Sequence, residues 1–228
     1  MATAEKIIQL RQLLAERFPA AHVARPPGND AFATQLERLD KLGLPKGEIT
    51  EVISAHASAG VATLLAALIE SARRAPHHVA LVDGRDGFDP GSISAAAGRN
   101  LLWVRCRSAL EATQAADLIM RDGNLPFVII DLRANPVKEV QRLGSPIWYR
   151  LQTLGRHSSI TCLVLTPTQV VSSARLRLTV GRRAALAELD CRREQWLAGL
   201  PLRVTRRRVA GGEGVTANAD SNRRQAAG

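Results

Sequence analysis

Aromatic residues, cysteines and long apolar runs are all scarce in this sequence. Aromatic side chains make up 4% of the 228 residues, so we expect an aliphatic core. No apolar run reaches the roughly 18 residues of a membrane-spanning helix, and residues 1–18 lack the apolar block of a signal peptide. The three cysteines, Cys106, Cys162 and Cys191, show no C-x-x-C spacing. We therefore expect free thiols in a reducing cytoplasm.

The stretch SAHASAGVAT, residues 54–63, lacks most of the groups that let a strand-to-helix turn bind a nucleotide. A loop of the form G-x-x-x-x-G-K-S/T uses glycines to wrap a phosphate, lysine to neutralise it and a hydroxyl to hold Mg²⁺. Gly60 stands at the second glycine of this pattern, and Thr63 offers a hydroxyl one residue beyond its serine or threonine position. Val61, however, stands where the lysine belongs, and Ala62 stands where the hydroxyl belongs. The stretch indicates either a degenerate nucleotide loop or an ordinary turn.

Acidic residues are outnumbered, and most of the positive excess lies near the C-terminus. The net charge is +10, and residues 175–208 contain ten arginines against three acidic residues. This distribution favours an acidic partner, either nucleic acid or an acidic protein surface. The alternative is a solvated face that only aids solubility. We assign partner or nucleic-acid binding to Arg203, Arg206, Arg207 and Arg208.

From residue 44 onward, apolar runs alternate with helical segments, which predicts a parallel sheet with helices on both faces. The runs of strand character are GEITEVIS and residues 77–84, 100–106, 126–131 and 159–167. Residues 173–183 and 200–211 alternate apolar and basic residues, which predicts antiparallel edge strands with outward-pointing arginines. Ser108 is the expected N-cap of the helix that follows the third strand.

The predicted domain organisation has four parts. They are an N-terminal amphipathic helix, a linker with the start of a second helix, a core with a basic C-terminal hairpin, and a disordered tail, at residues 1–18, 19–35, 36–210 and 211–228. Asp30 is the expected cap of the second helix, which would end at Gly43. The tail is assigned as disordered because it has almost no bulky apolar residue.

Three motifs in this order resemble the RecA recombinase family. LPKGEITEV, residues 44–52, looks like the lead-in to the family's phosphate loop, and ALVDGRDGFDP, residues 80–90, is similar to its F-I-D-A-E-x-x-L-D-P stretch with Asp83 in register. FVIID then ends in Asp131, where the family positions Mg²⁺. The resemblance covers about residues 36–210 and implies a RecA-like core.

The positions of this family's ATP chemistry hold other residues here. The loop lysine and hydroxyl are missing, Arg85 stands where the resemblance places a catalytic glutamate, and Thr166 with Pro167 replaces a polar sensor. These departures from the family pattern imply that the chain has no catalytic residue, no cofactor and no enzymatic activity. No metal site is expected either, because the neighbouring His77 and His78 on a strand would face opposite sides. The residues that remain at the degenerate, inactive nucleotide site are Gly60, Thr63 and Asp131.

Among RecA-like proteins without ATP chemistry, the chain is most similar to the ImuA group of accessory proteins. The N-terminal helix, the linker, the stretch LERLDKLGLPKGEITEV and the arginine-rich C-terminal region carry this similarity. It implies a DNA-repair role in damage-induced (SOS) mutagenic translesion synthesis, with RecA and a Y-family polymerase homologue as partners. DNA contact through the basic region stays open. The alternatives are an ATP-binding, DNA-dependent recombinase or ATPase, and a SulA-like division inhibitor that binds FtsZ.

Overall fold

The computed structural model describes one of the two units into which the chain divides. The units are residues 1–30 and 31–228. The described residues are 31–54, 56, 60–72, 74, 77–180 and 192–207. The predictions for the helix at 1–18, most of the linker, Asp30, Cys191, Arg208 and the tail at 211–228 lie outside these residues.

Seven strands form one sheet in the order β5-β4-β6-β7-β3-β8-β9, and a separate antiparallel pair joins β1 to β2. The strands are β1 (Ala31–Phe32), β2 (Leu44–Pro45), β3 (Ile49–Ser54), β4 (Val79–Asp83), β5 (Leu101–Arg105), β6 (Phe127–Asp131), β7 (Thr161–Thr166), β8 (Leu176–Val180) and β9 (Leu202–Arg207). All pairings in the large sheet are parallel except that of β9 with β8.

Helices connect these strands and cover the sheet on both faces. They are α1 (Glu37–Leu42), α2 (Val61–Ala72), α3 (Ala95–Gly98), α4 (Ala109–Asp122), α5 (Val137–Gln141), α6 (Ser145–Ser158) and α7 (Arg193–Ala198), with a 3-10 turn at Pro90–Ser92. The side chain of Ser108 caps α4 as expected, by accepting a hydrogen bond from the backbone N–H of Glu111. The predicted α/β class is confirmed, and the sheet is consistent with a RecA-like core.

Alternate residues of the central strands face two separate hydrophobic clusters. In β6, Phe127 and Ile129 pack with α2, whereas Val128 and Ile130 pack with α4 and α6. A strand that is buried on both sides has no polar face, which is why it reads as an unbroken apolar run. Cys162 of β7 is a buried free thiol, and its burial raises the pKa of the thiol to about 12.

The chain before the core differs from the predicted second helix. Ala31–Phe32 is a strand rather than helix, and its pairing with Leu44–Pro45 keeps this segment extended. The ring of Phe32 stacks on Phe127, with the two centroids 4.7 Å apart, which ties the segment to the core. Helix α1 therefore begins only at Glu37, and it ends at Gly43 as predicted.

The basic C-terminal strands also differ from the prediction in one respect. β8 is an internal strand that runs parallel to β3, and β9 alone lies at the edge in antiparallel orientation. Arg203 of β9 is exposed, as expected for an outward arginine. Arg177 of β8 is instead buried, because β8 has neighbours on both sides and packs into the core.

Arg177 forms a buried ion pair with Glu51, its register partner on β3. The Nε atom of Arg177 donates to Oε2 of Glu51 at 2.5 Å, and Nη2 donates to the carbonyl oxygen of Val171 at 2.8 Å. The other carboxylate oxygen accepts the backbone N–H groups of Val170 and Val171 at 2.8 and 3.0 Å. It also accepts the hydroxyl of Thr166 at 3.3 Å. Both charges are thus neutralised and hydrogen-bonded inside the core.

We predict that Arg177→Met lowers the free energy of unfolding by about 3–5 kcal/mol, because it leaves the Glu51 carboxylate buried without a counter-charge. Urea unfolding measures the change. The combined Arg177→Met, Glu51→Gln variant is expected to be more stable than Arg177→Met alone. Lys41→Met is the control, since the pair of Lys41 with Glu37 is exposed and its loss should not be measurable. Equal effects of the two Met substitutions would contradict the prediction.

Candidate functional site

β3 ends at Ser54, and α2 begins at Val61, directly after Gly60. Gly60 has φ +84°, a left-handed conformation that favours glycine. Val61, at the position of a phosphate-binding lysine, is 1% exposed and packs in the hydrophobic cluster beneath α2. Thr63 is half-buried on the first turn of the same helix. The lysine position of this loop therefore faces the core.

A tryptophan from the C-terminal part of the chain packs on this turn. A Cβ atom on Gly60 would overlap the six-membered ring of Trp196, a residue of α7. The indole is half-buried and also contacts the hydrophobic cluster beneath α2. At Gly60, directly before α2, an apolar ring thus lies against a helix terminus of the kind that can bind an anion.

The side chain of Asp83, at the end of β4, stabilises the loop that follows this strand. Its carboxylate accepts the backbone N–H of Gly87 at 3.0 Å and that of Phe88 at 2.8 Å. The indole N–H of Trp103 on β5 also donates to it at 3.4 Å. The side chain is 1% exposed. These contacts give Asp83 a structural role in holding the connection between β4 and β5.

Arg85, at the position that the resemblance gives to a catalytic glutamate, lies exposed at the same edge of the sheet. Its Nη1 atom donates to the carbonyl oxygen of Arg107 at 3.2 Å and lies 3.9 Å from a carboxylate oxygen of Glu139. The neighbouring Asp86 instead turns towards β5 and binds Arg105 with both carboxylate oxygens. This hydrogen bond with Arg105 lowers the pKa of Asp86. Neither side chain is left in the role of a general base.

Asp131, at the end of β6, lies opposite Asp83 in register and is bound by the chain itself. Nε of Arg133 donates to Oδ1 at 2.9 Å, and Nη2 donates to Oδ2 at 2.6 Å. The backbone N–H of Arg133 adds a third hydrogen bond to Oδ1 at 3.1 Å. Because Asp131 is 5% exposed, this two-pronged ion pair neutralises it in a largely buried place.

The residue at the family's sensor position also makes a contact inside the core. Thr166, at the sensor position, is buried at the end of β7 and donates its hydroxyl to Glu51. The three residues assigned to the degenerate nucleotide site fall into two separate sets of contacts. Gly60 and Thr63 lie at the start of α2 beneath Trp196, whereas Asp131 binds Arg133 on a strand separated from β3 by β7.

The basic residues assigned to a partner occupy the edge strand β9. Arg203 is exposed, while Arg206 is half-buried and donates from Nη1 to the carbonyl oxygen of Ser172 at 3.3 Å. The backbone of Arg207 lies in β9 opposite Leu176. Arg203 is therefore the exposed member of the two arginines whose side chains are described here.

The described residues contain no cluster of three or more His, Cys, Asp or Glu side chains that could hold a metal ion. His77 packs edge-on against Phe32, with ring centroids 5.0 Å apart. Burial, followed by the nearby His78, lowers the pKa of His77. Among the helices in the part of the chain that the structure covers, none is long and apolar enough to cross a membrane.

Sequence reasoning missed three features of this region: the cover by Trp196, the Arg133 clamp and the ion pair of Glu51 with Arg177. The clamp had a local signal, because an arginine two residues after a strand-terminal aspartate can fold back on it. The ion pair had a weaker one, since Glu51 and Arg177 are single charges in apolar strands. The contact of Trp196 with Gly60 had no sequence signal, because the two residues are 136 positions apart.

Comparison with known proteins gives no family assignment. Neither the protein-family models nor the curated proteins compared with the chain produce a match. Function is therefore inferred from the residues and their contacts, together with the motif resemblance described above.

We predict that restoring the loop lysine by Val61→Lys destabilises the fold by several kcal/mol, because the ammonium group would be buried without a partner. Burial would also depress the pKa of the new lysine, so the unfolded state would bind more protons and stability would recover as the pH rises. Urea unfolding at neutral and alkaline pH measures both effects. Ala62→Lys is the matched control, since Ala62 is exposed. If both lysine variants were equally stable, the core position of Val61 would be wrong.

Proposed function

We propose that this chain is a non-catalytic accessory protein with a RecA-like core that acts in damage-induced mutagenic translesion synthesis in the cytoplasm. It works through protein partners, namely RecA and a Y-family polymerase homologue. The choice of these partners rests on the resemblance to the ImuA group. The contacts at the carboxyl edge of the sheet and the basic strand β9 support an accessory role independently of that resemblance.

The observation that carries the proposal is the engagement of Asp131 by Arg133. A carboxylate that positions Mg²⁺ must offer oxygen lone pairs to the ion, as Mg²⁺ sites commonly use one or two carboxylates. Here both oxygens accept hydrogen bonds from a guanidinium of the same chain. Binding a cation would mean separating a largely buried ion pair, which leaves Arg133 without its counter-charge.

Two further positions favour the same conclusion. Val61 is a core residue and supplies no positive charge to a phosphate. Arg85 carries a positive charge at the place of a general base, whose task is to accept a proton from the attacking water. ATP hydrolysis therefore lacks a phosphate ligand, a free metal ligand and a base at the positions where the motif resemblance expects them.

The exposed basic strand favours binding to an acidic surface. β9 lies at the edge of the sheet with Arg203 exposed to solvent. An arginine offers several donors in a rigid fork that suits carboxylates on a protein and phosphates on DNA alike. A protein partner is the first choice, because the lack of interleaved aromatic side chains disfavours base stacking on single-stranded DNA.

We predict that Arg203→Glu weakens capture of RecA or the polymerase homologue about tenfold or more, since it replaces a charge-assisted contact by repulsion. Affinity is measured by surface capture of the purified partners at two salt concentrations. Arg99→Glu is the matched control, because Arg99 is equally exposed but precedes the opposite edge strand, β5. Binding of neither partner by the wild-type chain would overturn the proposal. Binding of DNA with a steep salt dependence would redirect it to nucleic acid.

We predict no binding of Mg-ATP to the wild-type chain in isothermal titration calorimetry, because the loop offers no lysine and Asp131 is already bound. Saturable binding would favour the rival ATPase or recombinase.

A second assay addresses the division-inhibitor alternative. Co-sedimentation with FtsZ polymers is expected to show no enrichment of the chain, and enrichment would favour that alternative.

A further inference from the structure

Helix α6 contains no acidic residue and presents arginines to solvent. Its sequence, SPIWYRLQTLGRHS, buries Trp148 and Leu151 on the side that faces the sheet. Arg150 and Arg156 lie on the outer side, and their side chains are 61% and 55% exposed. Tyr149, the only tyrosine of the sequence, is 50% exposed on the same helix. The outer side of α6 is therefore basic and carries an exposed aromatic group.

On the flank of α6 that faces α4, two arginines share the carboxylate of Asp117. Nη2 of Arg150 donates to Oδ2 of Asp117 at 3.2 Å, and Arg121, one turn further along α4, also pairs with this carboxylate. The hydrogen bond from Arg150 is the main cause that lowers the pKa of Asp117, so the carboxylate is ionised at neutral pH. The Asp117 side chain is 15% exposed, whereas both arginines are more than half exposed. This flank retains a net positive charge, and its guanidinium groups lie outermost.

The opposite flank of α6 has the same arrangement around Glu48. Nη2 of Arg156 lies 3.0 Å from Oε1 of Glu48, and Nη1 of Arg175, directly before β8, lies 3.9 Å from the same oxygen. The Glu48 side chain is 14% exposed and thus lies beneath the more exposed Arg156. Arg206 of β9 donates from Nη1 to the carbonyl oxygen of Ser172, in the connection that leads to Arg175. It therefore adds a third arginine to this flank.

These side chains form one basic surface, which we name the α6 surface. It consists of the two shared carboxylates with their four arginines, together with Arg206 and Tyr149. Five arginines against two carboxylates leave an excess of three positive charges. Cations in the last turn of a helix also stabilise that helix, but this applies only to Arg121 on α4 and Arg156 on α6. Helix stabilisation therefore does not account for the whole excess.

We propose that the α6 surface binds an acidic segment of a protein partner, whose carboxylates pair with the arginines and whose apolar side chain packs on Tyr149. The choice of a protein as the occupant rests on the proposed function. Arginine and tyrosine are enriched at protein interfaces and among their hot spots. Asp117 and Glu48 would repel the closely spaced phosphates of a nucleic acid. Because these carboxylates hold the guanidinium groups in place, the arginines lose less side-chain entropy when a partner binds.

A designed acidic peptide tests this surface in the absence of a natural partner. The probe is a fluorescein-labelled, helix-forming peptide with glutamates along one face and leucines beside them, and its counterpart has glutamine in place of every glutamate. Fluorescence anisotropy measures the affinity of the full chain for both peptides at two salt concentrations. The chain is expected to bind the acidic peptide about tenfold or more tightly than its counterpart, and more weakly at the higher salt concentration. Equal affinity for the two peptides, or no binding of the acidic one, would overturn the proposal.

Variants of the chain locate the binding. Arg150→Gln combined with Arg156→Gln should weaken binding of the acidic peptide about tenfold, because one arginine is lost from each flank. The control, Arg74→Gln combined with Arg99→Gln, removes the same charge from exposed residues that follow α2 and α3 on the other face of the sheet. Tyr149→Ala breaks no ion pair and should weaken binding about fivefold, so it decides if urea unfolding shows that the double variant is not folded. Equal losses in the two double variants, or no loss in Tyr149→Ala, would contradict the proposal.

A short duplex DNA is the competing probe. Tighter binding of the duplex than of the acidic peptide, with a loss in the variant that lacks Arg150 and Arg156, would assign the surface to nucleic acid and overturn the proposal. The peptide assay contains neither RecA nor the polymerase homologue, so its result is independent of the capture experiment. Capture of a natural partner by a chain that does not bind the peptide would refute the role of the α6 surface alone. Binding of the peptide without capture of either partner would refute the proposed function alone.

Discussion

The position of the C-terminal third of the core depends on the buried ion pair between Glu51 and Arg177. An ion is tolerated inside a protein only when its charge is paired and its hydrogen bonds are satisfied. The Glu51 carboxylate meets this condition only if β8 lies beside β3 in one register and residues 170–171 fold back over the end of β7. A shift of β8 by one residue would leave both charges unpaired in the core. Because β9 pairs with β8, the position of the basic edge of the sheet depends on the same register.

The acidic side chains at the carboxyl edge of the sheet serve the structure of the chain itself. An acidic side chain at the end of a parallel strand can bind a ligand, or it can accept hydrogen bonds from the loop that follows the strand. Asp83 organises the loop that follows β4, and Asp131 is clamped by Arg133. Each carboxylate oxygen of these two residues accepts at least one hydrogen bond from the chain itself. The polar groups at this edge thus stabilise the connections that follow β4 and β6.

The sequence predicts this architecture well where a local pattern carries the information. Strands buried on both faces are continuous apolar runs, and α4 begins where the predicted N-cap Ser108 places it. Contacts between residues that are distant in the sequence cannot be predicted in this way. The two-residue strand at Ala31–Phe32 is too short to show a period, and alternation in β8 wrongly predicted that Arg177 points to solvent. The cover of Gly60 by Trp196 depends on how α7 returns to α2, which no local pattern encodes.

The start of α2 illustrates why nucleotide binding would be unfavourable in this fold. A lysine at residue 61 would be buried in an apolar cluster, and a phosphate at Gly60 would meet an indole ring. Asp131 would in addition have to leave Arg133 before it could hold a metal ion. Each of these changes alone is unfavourable while the other two contacts remain, so nucleotide binding would require several simultaneous changes. The same three contacts stabilise the present core, so nucleotide binding would come at the expense of the stability of the fold.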